Sequence, residues 1–538
     1  MTAERAEWRS GSRIPVSHFR ILHSAFGILL LLSLPAFAQV TVKTAALSTA
    51  HPLATRAGLA TLQRGGTAAD AAVAVAFTLA VAHPQAGNLG GGGFLVYYDA
   101  STRGIWTLDF REAAPGGVTR NMFASGPPAG ARAAAIPGTV AGLEALHEKF
   151  GARPWKELLA PAIALAKEGP RKDAELDADI ATANRERKLD IPKQLPPREL
   201  AATLQRLADA GPRDFYGGEI AEKLVEGVRA AGGTFGFRDM KAYEAIWRAP
   251  IRLGYGAYDI YTVAPPSGGG IVIGETLNIL RGDDLKAAGF QTTSAIHLML
   301  EAYRRAFIDR NRFVGDPAGS RLPYRELLSQ QRAEQWRKTI DVKRATATHT
   351  LEQPAVSVEG EHTTHFTIAD AQGNVASVTT SLGENFGSGF MPPGLGFFLN
   401  DALSDFTSGA NALDPGKRPA SSMSPVIVLR DEKPFLALGT RGGAAIPTTI
   451  LQVFLNLVVH GQSLPAAVAA PRYHQQGTPE DVFYERGRAP QTAVDALNAM
   501  GHGVSPRDAI GDVHAILFEN GRLVAVADPR RGGAAGGY

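Results

Sequence analysis

Four strand pairs, each closed by a short turn, commit this chain to antiparallel sheet. Residues Phe94–Tyr98 with Ile105–Phe110, Thr364–Ala369 with Val375–Ser381, Val426–Arg430 with Phe435–Gly439, and Ala515–Glu519 with Arg522–Val526 each read as two neighbouring strands. Asn520-Gly521 joins the last pair and is the strongest short hairpin signal; Ala371-Gln372-Gly373-Asn374 turns the second pair. Parallel strands would need crossovers of a dozen residues or more, which these short turns do not allow. Apolar helices lie between the hairpins. His51-Pro52 opens one that Gly65-Gly66 ends, and Thr67–Ala82, almost wholly apolar and Ala-rich, predicts a buried one. Pro137–Phe150 and Ala444–Val459 read as further helices. Strands and helices mixed in this way predict an α+β sandwich of sheets covered by helices, not a doubly wound parallel sheet. From Trp155 to about Tyr303 the pattern is helical and charged with glycine breaks, which predicts a peripheral lobe. Residues 340–360 lack periodicity and read as an exposed linker.

Composition removes several function classes. Hydrophobic residues make up 45% and charged residues 20% of 538, as in a folded globular protein. Lys and Arg number 55 against 52 Asp and Glu, too near balance for a nucleic-acid binder. The absence of cysteine excludes disulfides, zinc ribbons, iron–sulfur clusters and a cysteine nucleophile. The 13 histidines show no metal-ligand spacing. P-loop, G-x-G-x-x-G, G-x-S-x-G and H-E-x-x-H motifs are missing, and Gly90–Gly93 lacks dinucleotide spacing. An enzyme with this inventory is expected to use a hydroxyl nucleophile, without metal or cofactor.

The first residues read as an export signal. Arg5, Arg9, Arg13 and Arg20 precede an apolar run from Ala25 to Leu34, and Pro35-Ala36-Phe37-Ala38 offers an A-x-A cleavage site. The run is shorter than the ~20 residues a bilayer span requires. Residues 1–38 are therefore expected to be a signal peptide, leaving a secreted, periplasmic protein that begins at Gln39 and has no membrane span.

The segment Glu361-His362-Thr363-Thr364-His365-Phe366, taken alone, is the start of a strand. Other segments stand in a specific order around it. Asp109-Phe110-Arg111-Glu112 closes an early strand, and Asn400 and Asp405-Phe406 follow a short one. Lys417-Arg418-Pro419-Ala420-Ser421-Ser422-Met423-Ser424-Pro425 precedes another, Thr440-Arg441-Gly442-Gly443 joins a strand to a helix, and Ala527-Asp528-Pro529-Arg530 lies near a terminal Gly-Gly-Tyr. Together these resemble the γ-glutamyltranspeptidase (glutathione hydrolase) family from His51 to Tyr538. The resemblance implies an N-terminal-nucleophile hydrolase: an αββα sandwich with two stacked, mainly antiparallel sheets between helical layers. It also implies a proenzyme that cuts itself after His362, giving a large chain of residues 39–362 and a small chain of residues 363–538 that form one heterodimeric body.

The chemistry suits the residues. A threonine hydroxyl is a weak nucleophile and needs a base. At a chain terminus it carries its own, an α-amine with a pKa of roughly 7.7–8.0. The resemblance makes Thr363 that nucleophile, first against the carbonyl of His362 and then against the γ-carbonyl of a γ-glutamyl compound such as glutathione. Water or an acceptor amino acid or peptide would end the cycle. It gives Gly442 and Gly443 the oxyanion, Ser381 the orientation of the nucleophile, Arg111 with Ser421 and Ser422 the substrate carboxylate, and Asp405 its ammonium. Without the family, Gly442-Gly443 is a turn, Ser381 a strand-end hydroxyl and Arg111 a solvated or structural cation.

Departures from the family bear on amine recognition. Gly383 stands where relatives often carry Asn or Glu, and Ala402 where they often carry Gln or Glu; Glu384 or Asn385 are the candidate substitutes. The short segment Thr407–Gly416 suggests an open site, and Arg441 replaces a common proline. The alternatives are a glutaryl- or cephalosporin-type amide acylase of the same fold, and a non-enzymatic periplasmic binding protein that stays uncut.

Overall fold

Register in the Thr363 hairpin fixes much of the architecture. Strand Thr363–Ala369 pairs with Val375–Ser381 so that Thr363 stands opposite Ser381 and His365 opposite Thr379. This hairpin lies inside a seven-stranded sheet ordered 534–537, 46–49, 363–369, 375–381, 92–99, 104–110, 246–248. A second seven-stranded sheet runs 39–42, 522–527, 513–519, 433–440, 426–430, 258–262, 251–255. Every neighbouring pair in both sheets is antiparallel. These statements come from a computed structural model, which describes residues 38–538 apart from 125, 172, 319–321, 352–353, 355–358 and 361. Except for Ala38, the leader expected over residues 1–38 lies outside the described residues.

Period-two alternation sorts the hairpin's side chains between two cores. Phe366, Ile368, Ala376 and Val378 pack with the helices Pro52–Gln63 and Ala68–Ala82. The opposite face meets the second sheet. There Thr367 Oγ1 donates to the His514 carbonyl at 3.0 Å and Ser377 Oγ to the Leu438 carbonyl at 3.2 Å. A Cβ at Gly439 would lie 2.3 Å from the His365 ring, so glycine lets the sheets close over that imidazole. Helices Gly269–Ile279 and Ala445–Val458 cover the far side of the second sheet and share its core. The result is the αββα sandwich expected from the sequence. Thr67 caps the buried helix through a reciprocal capping box with Asp70. Asn520 and Gly521 have φ of 51° and 69°, the left-handed pair that a two-residue hairpin turn requires.

Two expectations are corrected. The stretch from Trp155 to Tyr303 is not wholly peripheral. Ile251–Tyr255 and Tyr258–Thr262 enter the second sheet, the latter beside Val426–Arg430, and Gly269–Ile279 is buried. Those two strands lie inside a stretch whose charged, glycine-broken helical pattern dominates and masks them. Nor is the segment 340–360 simply exposed: Thr348 is buried, and the Glu359 side chain is only 9% exposed because it is held by an ion pair. Among the described residues no helix is long and apolar enough to cross a membrane.

Candidate active site

The strand that starts at Thr363 brings its hydroxyl to the end of the neighbouring strand. Thr363 Oγ1 donates to Ser381 Oγ at 3.3 Å, and the Gly383 amide donates to the same Ser381 oxygen at 2.9 Å. Both side chains are buried, yet they line a small pocket of about 20 Å³ together with Arg111, Glu359, Gly360, Gly383, Asp405, Ser421, Met423, Gly443 and Ile446. Of the site residues expected from the sequence, Thr363, Ser381, Gly443, Arg111, Asp405 and Ser421 therefore share one cavity, although they come from segments more than 300 residues apart in the chain. Gly442 precedes Gly443 at the strand-to-helix turn, with φ of +126° and +52°, backbone that suits glycine and lets amides approach a ligand. His362 lies next to Thr363, and its Nδ1 accepts from Arg441 Nη2 at 2.6 Å. Partial burial and then the Arg441 charge hold the His362 imidazole well below its ordinary pKa, so it stays neutral. Arg441 thus points at the expected cleavage site.

Arg111 sits at the end of strand Gly104–Phe110 and is buried between two carboxylates. Nη1 meets Glu112 Oε2 at 2.5 Å and Nη2 pairs with Asp405 Oδ2. Burial raises the Asp405 carboxyl to about 8; Arg111 opposes that rise, while Asp401 and Glu359 add to it. Burial likewise raises Glu112. One guanidinium shared by two buried acids leaves a net negative surplus that a cation or a proton must balance. Glu112 appeared in the sequence only as part of the Asp-Phe-Arg-Glu run; its adjacency to Arg111 was the available signal.

The gap left by Gly383 is filled from across the site. A Cβ at residue 383 would lie 1.8 Å from Asp401 Oδ1. Asp401 is buried, accepts the Glu384 amide at 3.3 Å and faces Arg187 Nη2 at 3.4 Å. Burial and then the Glu384 charge raise it to about 7. Asp401 lines a second cavity of about 250 Å³ with Glu384, Asp405, Arg187 and Gly360, adjoining the pocket of Thr363. Asp401, not named as a candidate from sequence, therefore takes the space left by Gly383. Glu384 also lines that cavity, whereas Asn385 is buried and is not among its lining residues.

Ser422 already binds a carboxylate. Its amide donates to Glu359 Oε2 at 2.7 Å and its hydroxyl to Glu359 Oε1 at 3.0 Å. Arg310 Nη2 pairs with the same Oε1.

A metal has one candidate cluster among the described residues, and it is closed. His297, Glu301 and His502 have ligand atoms within 4.8 Å of one another. The Asp341 carbonyl, 2.8 Å from His297 Nε2, can only accept, so that nitrogen carries the proton and His297 Nδ1 accepts from His502 Nε2 at 2.8 Å. Arg305 and Thr346 occupy Glu301 at 2.7 and 2.5 Å.

Comparison with known proteins places this fold. Residues 54–538 match the family described as Gamma-glutamyltranspeptidase. The chain is 36% identical over 534 residues to the glutathione hydrolase proenzyme of Escherichia coli (strain K12), covering 92% of each. It is 34% identical over 514 residues to the acylase ACY 1 proenzyme of Pseudomonas sp. (strain V22), covering 89% of this chain and 91% of that one. The crystal structure of cephalosporin acylase from Bacillus halodurans superposes with a TM-score of 0.84 at 27% identity, over 93% of this chain and 97% of that one. The chain belongs to the γ-glutamyltranspeptidase family and is an enzyme with that family's N-terminal-nucleophile hydrolase fold.

Proposed function

We propose that this protein is a self-processing γ-glutamyl hydrolase or transferase whose nucleophile is Thr363. The carrying observation is the shared pocket: Thr363 beside Ser381, in a cavity that Gly443 and the Arg111–Asp405 pair also line. In the first reaction Thr363 Oγ attacks the His362 carbonyl carbon, the peptide C–N bond breaks and an ester forms. Water hydrolyses that ester, leaving a carboxylate on His362 and a free α-amine on Thr363. The chains 39–362 and 363–538 result.

In each turnover the α-amine takes the Thr363 hydroxyl proton while Oγ attacks the γ-carbonyl. The oxyanion faces the amides of Gly442 and Gly443. The intermediate collapses to a γ-glutamyl ester as the leaving amine takes the proton from the Thr363 ammonium. Water or an acceptor amine then releases the acyl group.

Selectivity follows from charge exchange. A γ-glutamyl head brings one carboxylate and one ammonium. Its carboxylate replaces Asp405 on Arg111, while its ammonium takes up Asp405, so one internal ion pair becomes two with the substrate. A glutaryl group brings only the carboxylate and leaves a buried Asp405 to be neutralised by a proton. A second reading, amide acylase, draws support from the same residue: with a pKa of about 8, Asp405 accepts that proton at neutral pH. It also draws on Gly383 and Ala402, which offer no polar side chain, and on the acylase relative. Matched hydrolysis of γ-glutamyl anilide and glutaryl anilide separates the two. A strong preference for γ-glutamyl anilide is expected; equal rates or a glutaryl preference would make the protein an acylase.

A further inference from the structure

We propose that Glu359 is an internal stand-in for the substrate carboxylate, and that Arg310 joins Arg111 in binding that carboxylate in the mature enzyme. This rests on the proposed cleavage after His362. The uncut chain shows a carboxylate lodged in the nucleophile pocket. Both Glu359 oxygens are engaged: Oε2 by the Ser422 amide at 2.7 Å, and Oε1 by the Ser422 hydroxyl at 3.0 Å and by Arg310. The two partners of the ion pair are 5% and 9% exposed. Ser422 amide and hydroxyl with a guanidinium behind them form a complete receptor for a carboxylate.

Glu359 and Gly360 also occupy the space the substrate needs. They line the pocket of Thr363, Arg111 and Asp405, and the remaining volume of about 20 Å³ has room for about one water molecule. The uncut protein is thus closed to substrate by its own chain. Cleavage after His362 turns Glu359 into the fourth-last residue of a free chain end, which can withdraw.

Withdrawal strands Arg310. Among the described residues Glu359 is the one carboxylate it pairs with; its other side-chain contacts are Asn311 Oδ1 at 2.8 Å and Ser422 Oγ at 3.5 Å, and its Nε is buried with no partner. A buried guanidinium without a counter-charge is unstable, so the site is poised for another carboxylate. Arg111 differs, because Glu112 and Asp405 already share its charge. Arg310 is delivered by the last turn of helix Thr293–Phe313, and its charge is the one that changes partner when the segment leaves.

The test uses the mature enzyme and three anilides: γ-glutamyl, glutaryl, and pentanoyl, which lacks the carboxylate. Arg310→Gln is expected to raise KM at least about tenfold for the first two, the loss of one charged hydrogen bond, with kcat and the pentanoyl rate little changed. Arg310→Lys is expected to recover most of the loss. Equal damage on all three substrates, or unchanged KM on the carboxylate pair, overturns the assignment. If the wild type does not prefer carboxylate-bearing anilides to pentanoyl anilide, carboxylate recognition itself falls, and the proposed function with it. A crystal structure of the mature wild type with glutarate decides the matter even if Arg310→Gln fails to fold. A glutarate carboxylate on the Ser422 amide and hydroxyl, with Glu359 displaced, is the expected result; Glu359 still seated there contradicts it.

Discussion

Asp401 Oδ1 occupies the place that a side chain on residue 383 would take, 1.8 Å from where its Cβ would be. Gly383 and Asp401 are therefore one unit, in which the backbone yields space and the carboxylate fills it. Gly383 also holds φ at +96°, a conformation that costs other residues about 1–3 kcal/mol. Gly383→Ala must both adopt that strain and expel the Asp401 carboxylate. Its unfolding free energy, read from urea midpoints, is expected to fall by at least that amount. A change within experimental error would show that the two residues are not in contact.

Arg111→Ala is expected to do two things. It removes the charged hydrogen bonds to the substrate carboxylate, about 1.5–3 kcal/mol in kcat/KM on γ-glutamyl anilide. It also leaves Glu112 and Asp405 buried without their cation, a loss on the order of 3–5 kcal/mol in stability, offset where the acids take up protons. Paired kinetic and denaturation curves check both; unchanged kcat/KM on γ-glutamyl anilide would remove Arg111 from the site.

The ratio of γ-glutamyl to glutaryl kcat/KM is expected to depend on pH through Asp405. Its carboxyl is raised to about 8, so it is neutral below that pH and an anion above it. Only the anion pairs with an ammonium. The ratio should therefore rise as pH approaches about 8 and fall again at higher pH, where the substrate's own ammonium loses its proton, while titration of the Thr363 α-amine affects both substrates and cancels. A pH-independent ratio would mean that Asp405 does not bind the amine.

Ser381→Ala deletes the hydroxyl that accepts from Thr363 Oγ1 at 3.3 Å. A neutral hydrogen bond contributes about 0.5–1.5 kcal/mol, so kcat should fall by up to about tenfold with KM little changed. Single-turnover acylation of the variant reads this directly; a wild-type rate would leave Ser381 a strand-end hydroxyl and no more.

Much of the sandwich was legible because its hairpins alternate and their turns carry Gly and Asn, as at Gly373 and Asn520-Gly521. Ala534–Gly537 was not, since a strand of alanine and glycine has no polar alternation to read, although it pairs along Ala46–Thr49. The residues of the candidate site were legible where motifs are dense, at Thr363, Arg111, Asp405 and Ser421, which line one cavity. Asp401 and Glu359 were missed for a different reason. Their placement depends on what is absent at Gly383 and on a chain segment folding back onto Ser422, and neither relationship leaves a local pattern. His297 and Glu301 lie four residues apart on one helix, but His502 joins them only through tertiary packing.

The intact mass of the purified wild-type protein, beside that of Thr363→Ala, tests the central claim most directly. Two chains are expected from the wild type, one ending at His362 and the other beginning at Thr363, and a single uncut chain from Thr363→Ala. A wild type that remains one chain, or a Thr363→Ala protein that still splits after His362, would contradict self-cleavage by Thr363.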